Sequence, residues 1–97
     1  MEIEKLIDGN SATVKLTGRL DTSNSPELEE ALKTLDSAEK ITLDFSGLEY
    51  ISSAGLRVLL IAHKNFSKKS GMTLINVNDD VMDVFKVTGF DDVLDIK

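Results

Sequence analysis

No cysteine occurs anywhere in the 97 residues, so neither disulfides nor thiolate chemistry is open to this chain. A single histidine with no cysteine beside it gives no reason to expect a zinc site or any other metal centre. Basic residues are scarce: 11 Lys and Arg against 17 Asp and Glu leave a net charge of −6. That balance argues against nucleic acid as a partner, because such binding depends on Lys and Arg at phosphates. It argues, more weakly, against an anionic membrane surface. No apolar run approaches the width of a bilayer, and no basic leader with an apolar core opens the sequence, so a cytoplasmic location is expected. Neither a Walker A nor a GxGxxG loop is found, and the serines lie in no nucleophile-elbow pattern. No cofactor and no catalytic constellation are therefore expected, and an enzyme is a poor reading.

What is present is the composition of a folded soluble domain, 41% hydrophobic and 29% charged. The length suits one core, so residues 1–97 are read as a single domain. The organising stretch is Lys40 to Lys64. Ile41, Leu43 and Phe45 alternate with Thr42, Asp44 and Ser46, the period of a strand. Ser46-Gly47 reads as a break, after which Leu48 and Tyr50-Ile51 carry the chain back toward the core. From Leu56 the spacing becomes helical, through Leu59, Leu60, His63 and Phe66. The change of period falls on Ser52-Ser53-Ala54-Gly55.

That junction matters chemically. The first turn of a helix leaves N–H groups without intrahelical partners and carries partial positive charge. Ser52 or Ser53 can cap it, and the same place suits an anion, including a phosphate carried by one of the serines. An ordinary serine cap accounts for the same letters. Arg57 lies one turn further on, within reach of a phosphate or a partner. With Lys64, Lys68 and Lys69 it otherwise reads as a solvated face. His63 is read as a packing residue.

Around this centre the other elements follow. Glu2 to Ile7 and Ala12 to Thr17 form an antiparallel pair across the Asp8-Gly9-Asn10 turn. Gly18 to Asn24 is a loop, and Ser25 caps a helix with Pro26 at its first position and Leu28, Ala31, Leu32 and Leu35 as its stripe. Gly71 ends the second helix. Met72 to Val77 is a nearly continuous apolar strand, as in a sheet covered on both faces. Asn78 or Asp79 caps a helix that buries Val81, Val84 and Phe85, with Gly89 just past its end. Val93 to Ile96 adds a short edge strand. The expected fold is α/β, a mixed sheet of about four to five strands with an antiparallel pair first, later parallel strands and helices packed on it. Loops beyond the strand carboxyl ends, where the serines fall, gather the site.

Asp44 to Leu60, DFSGLEYISSAGLRVLL, resembles the signature of STAS-domain anti-sigma-factor antagonists. Gly18-Arg19-Leu20-Asp21 resembles the family's second landmark, a G-x-L/I-D segment ahead of the first helix. Element order agrees across nearly the whole chain. The resemblance implies a STAS-like fold without catalytic activity. It implies binding to an anti-sigma factor that is also a serine kinase of the histidine-kinase-like ATPase fold, phosphorylation by it, and resetting by a PP2C-type phosphatase. It also places Asp21 at the partner's contact surface; Ser52, Ser53, Ala54 and Gly55 of the junction, and Arg57 by its spacing one turn further on, complete the expected docking surface.

The junction departs from the family's usual D-S-S-G or D-S-A-G. Serine stands at Ser52 where those motifs have aspartate. Against D-S-S-G the acceptor position is Ala54; against D-S-A-G it is Ser53. Ser53 is the candidate phosphoacceptor and Ser52 the second. A constitutive interaction scaffold, or a small-ligand-sensing module without phosphorylation, is the alternative. A phosphoaspartate receiver built on Asp44 is a further rival, but it lacks the acidic pair after its first strand.

Overall fold

Alternation along the strands decides which way the sheet faces. The computed structural model describes residues 1–97. Its elements are β1 (Glu2–Asp8), β2 (Ser11–Leu20), α1 (Ser25–Thr34), β3 (Lys40–Ile51), α2 (Ser53–Ser67), β4 (Gly71–Ile75), α3 (Asp79–Thr88), a 3-10 turn at Phe90–Asp92 and β5 (Asp95–Ile96). The five strands lie in sequence order, β1-β2-β3-β4-β5. β1 and β2 are antiparallel, and every later pairing is parallel.

This order has a geometric consequence. Each parallel pair is joined through a helix, and such crossovers are almost always right-handed. Stepping in one direction across the sheet, three crossovers of one hand deliver α1, α2 and α3 to the same face. Ala12, Val14 and Leu16 of β2, Ile41, Leu43 and Phe45 of β3, and Met72 and Leu74 of β4 are buried there. They join Leu28, Leu32, Leu59, Phe66, Val81 and Phe85 from the helices in one cluster of 23 buried residues. Phe45 and Phe85, with ring centroids 6.3 Å apart, fasten α3 to the central strand. The opposite face bears the half-exposed Thr13, Thr42 and Thr73 and has no helix on it.

The expectation that Met72 to Val77 runs through a sheet covered on both faces is therefore corrected. β4 stops at Ile75 and alternates between buried and half-exposed positions. Asn76 then turns the chain at φ 58°. Gly71 opens this strand and does not close the helix before it, which ends at Ser67 with Lys68 as its cap. Gly89 does hold the left-handed position after α3, at φ 79°.

A second correction sets up the site. Ser46-Gly47 does not end a strand. β3 continues to Ile51, and its pairing with β2 slips twice, once between Lys15 and Thr17 and again between Gly18 and Arg19. Each slip places an extra residue on β3, as a β-bulge does. Gly47 sits at the first. A Cβ there would come within 2.8 Å of the Thr17 hydroxyl and 3.2 Å of the Leu16 carbonyl oxygen. Because β3 continues, β2 continues with it through Gly18 to Leu20, so the region expected to loop from Gly18 is strand for three more residues.

Candidate functional site

Both extended strands end on one directly paired couple, Leu20 and Ile51. Asp21 and Ser52, the residues that follow them, therefore leave the sheet side by side. The Ser52 amide donates to the Leu20 carbonyl at 2.9 Å and ties the two exits together. Thirty residues of sequence separate Asp21 from Ser52; one strand pairing removes that distance.

On the first exit, the chain closes into a tight turn. The Asp21 carboxylate accepts from the Ser23 hydroxyl at 2.6 Å and from the Ser23 amide at 3.0 Å, both at Oδ1. Asn24 reaches back, accepting from the Asp21 amide at 2.9 Å and donating to the Arg19 carbonyl at 2.7 Å. The Ser23 hydroxyl, foremost, holds the Asp21 carboxyl below the ordinary aspartate value; some desolvation opposes it, and the Ser23 and Asn24 amides and the Arg19 charge assist. Oδ2 of Asp21 has no partner within the chain. The N-cap of α1 is Asn24, not Ser25 as the sequence suggested, and its side chain is spent on the turn and not on the helix. Ser25 is the first helical residue and is buried.

The second exit starts α2. Ser52 is extended, at φ −94° and ψ 173°, and its hydroxyl accepts from the Gly55 amide at 3.3 Å. Its carbonyl accepts from the Leu56 amide at 3.0 Å. Of the two serines, Ser52 is thus the cap. Ser53 is the first helical residue, exposed, and its hydroxyl bonds to nothing in the chain. Gly55 is buried beneath them. A Cβ there would meet Leu20 Cγ at 2.8 Å and Ile51 Cγ1 at 2.9 Å, so only glycine lets this first turn press against the strand ends.

Across from α2 stands the start of α1, and a shallow cleft of about 730 Å³ lies between them. Ser53, Ala54, Arg57 and Ile61 form one wall; Thr22, Pro26 and Glu29 are on the other. Of the six residues singled out from the sequence, Ser53, Ala54 and Arg57 share this cleft. Asp21 and Ser52 stand beside it as its anchors, and Gly55 lies under it. The α1 wall was missed, because nothing in the sequence gives the spacing of two helices. A smaller hollow of about 190 Å³ continues between the same helices to Phe66, sharing Glu29, Val58 and Ile61 with the cleft.

Tyr50 also differs from expectation. It is 40% exposed and not core-directed, and the Arg19 guanidinium lies 4.2 Å from its ring centre. Arg19 and Tyr50 are register partners, so the stack braces the bare face of the sheet next to the Leu20–Ile51 couple.

The remaining titratable candidates lie elsewhere. Asp44 accepts from the Ser46 amide at 2.9 Å and the Asn76 side chain at 3.1 Å. Partial burial pushes its carboxyl up, but the Asn76 amide, both Ser46 donors and the Lys15 charge outweigh this and hold it below the ordinary value. It pins β3 to the turn after β4. No group of three or more His, Asp and Glu side chains converges to hold a metal ion. His63 is half-buried, with a buried Nδ1 that has no partner. No helix is long and apolar enough to cross a membrane.

Comparison with known proteins points to one family. The family described as "Mlab, STAS domain" matches residues 3–95. The anti-sigma-B factor antagonist of Listeria monocytogenes is 29% identical over 93 residues, covering 93% of this chain and 82% of that protein. BtrV of Bordetella bronchiseptica, whose name assigns it an anti-sigma factor antagonist role, is 37% identical over 78 residues, covering 77% and 67%. Among solved structures, an anti-sigma factor antagonist from Mycobacterium paratuberculosis superposes with a TM-score of 0.88 at 22% identity, covering 98% of this chain and 83% of that one. SpoIIAA, an anti-sigma factor antagonist solved in its unphosphorylated form, gives 0.77 at 16% identity, covering 99% and 87%. At those identities the structures speak for the fold. With a family match over nearly its whole length, the chain belongs to the STAS-domain family of anti-sigma-factor antagonists.

Proposed function

We propose that this protein is an anti-sigma-factor antagonist that docks through the end of the sheet bearing Asp21, Ser52, Ser53, Ala54, Gly55 and Arg57. Its partner is an anti-sigma factor that is also a serine kinase of the histidine-kinase-like ATPase fold, sequestered while Ser53 is unmodified. Transfer of the γ-phosphoryl group of ATP to Ser53 Oγ ends the complex, and a PP2C-type phosphatase hydrolyses the ester to restore it. The protein acts in the cytoplasm, catalyses nothing itself and requires no cofactor.

One observation carries the choice of acceptor. The Ser53 hydroxyl is exposed and unengaged on the cleft wall, whereas the Ser52 hydroxyl is committed to the Gly55 amide. A phosphate on Ser53 adds about −1.5 to −2 charges to the docking face. The amino end of α2 tolerates that charge, so the fold persists while an acidic or closely packed partner surface is repelled.

A second reading keeps the docking surface and drops the switch. It draws on Ser52 and Ala54, which stand where the family motif carries aspartate and, in one form, the acceptor serine. Phosphopeptide mapping of the protein recovered from its own cells, paired with co-purification of its partner, separates the two. Phosphate on Ser53, with partner capture lost in Ser53→Asp, supports the switch. A Ser53→Asp variant that captures the partner as well as wild type overturns it and leaves a permanent docking module.

A further inference from the structure

Arg57 is the one cation in the cleft, and it makes no ion pair or hydrogen bond within the chain. The only carboxylate lining the same cleft is Glu29, whose Oε1 already faces the Lys33 ammonium at 3.8 Å. Thr22 and Ser25 supply hydroxyls on that wall, with Pro26 and Ile61 as apolar surface. Ser53 and Arg57 are four apart on one helix, so their side chains lie over adjacent turns with Cβ atoms about 5–6 Å from each other. The order of the pair also counts. An anion placed amino-terminal to a cation at this spacing is the favourable orientation, and a phosphate at Ser53 also meets the positive end of the helix dipole.

We infer that Arg57 is an intramolecular clamp for phosphorylated Ser53: once Ser53 carries a phosphate, the guanidinium folds back one turn and binds it. This rests on Ser53 as the acceptor and adds the means by which the modification acts. A guanidinium can offer two parallel N–H donors to phosphate oxygens, a stronger and more directional contact than a point charge gives. Modification then changes the docking face twice. It installs a dianion at Ser53, and it withdraws from the partner the one positive charge on that wall. No covalent step is involved beyond the phosphoryl transfer itself, and the one carboxylate lining the cleft, Glu29, already has the Lys33 ammonium 3.8 Å away.

The test uses the full-length chain with phosphoserine installed at position 53, as wild type, as Arg57→Gln and as Arg57→Lys. Phosphorus NMR follows the second ionisation of the phosphate with pH. The clamp predicts a midpoint roughly 0.3 pH units or more lower in wild type than in Arg57→Gln, with Arg57→Lys between them. The difference should shrink in 1 M salt, and the Arg57 Nε–H resonance should move on phosphorylation. Identical midpoints in folded wild type and Arg57→Gln would overturn the clamp whatever the cells do. Conversely, a chain never phosphorylated in its cells would sink the switch while leaving this titration fully interpretable.

Discussion

The Ser52 hydroxyl accepts the Gly55 amide at 3.3 Å, and that single bond separates two adjacent serines into a structural one and a free one. Removing the cap should cost stability. Ser52→Ala is expected to lose about 1 kcal/mol in urea unfolding, and Ser52→Asp, itself a good cap, should lose little or nothing. Ser53→Ala should stay within about 0.5 kcal/mol of wild type, as an exposed position with no partner does. Equal losses for the two alanine variants would contradict the division of roles.

Gly55 is expected to resist the mildest substitution available. Alanine improves helix propensity by about 1 kcal/mol at an ordinary helical position. Here its Cβ would lie 2.8 Å from Leu20 and 2.9 Å from Ile51, both buried. Overpacking of this kind costs about 1–3 kcal/mol, so Gly55→Ala should be net destabilising in the same unfolding assay.

Phe85 fastens α3 to the sheet through Phe45 and is completely buried. Phe85→Ala should cost about 3–5 kcal/mol. That is a large share of what a domain of this size possesses, so calorimetry should show a strongly lowered Tm or no cooperative transition.

Asp44 makes a prediction about acid. Its folded carboxyl is held below the ordinary value of 3.8, so the unfolded chain binds its proton first as pH falls. The stability it contributes is complete above about 3.8 and is lost as pH drops through the lower, folded value. Carbon-detected NMR should place its midpoint below that of a free aspartate. Asn76→Ala, which removes a donor 3.1 Å away, should move the midpoint upward. An unmoved midpoint would mean that the Asn76 contact carries no weight in solution.

How far the sequence reaches can be judged at particular residues. The serine junction was legible because a period of two gives way to one of 3.6 at Ser52–Gly55, and both periods follow from local backbone geometry. The antiparallel pair and the parallel remainder were legible from turn chemistry and from the alternation of strand with helix. The continuation of β2 and β3 past Gly18 and Gly47 was not. A glycine at a bulge and a glycine at a turn look alike in one dimension, and only the Thr17 contact tells them apart. For the same reason the Leu20–Ile51 couple, which brings Asp21 to Ser52, had no local signal. Asn24 stands at the helix boundary in place of Ser25, with its amide group bonded to Asp21 and Arg19 and not to the helix, so the usual capping pattern was no guide there. The bare face of the sheet could have been deduced once the strand order was known, since crossovers of one hand taken in one direction leave no alternative.

That strand order bears on how the molecule comes into being. No strand is inserted between two others: each new one pairs with the strand just before it in the chain. The hairpin of β1 and β2 forms from adjacent residues, and every later βα unit adds to an edge already in place. Each parallel pairing still spans 22 to 31 residues of sequence, so closing the loop through each helix, and not the hairpin, sets the pace of folding. On a translating ribosome the sheet can extend strand by strand from its amino end, with β5, only two residues long, closing the free edge last.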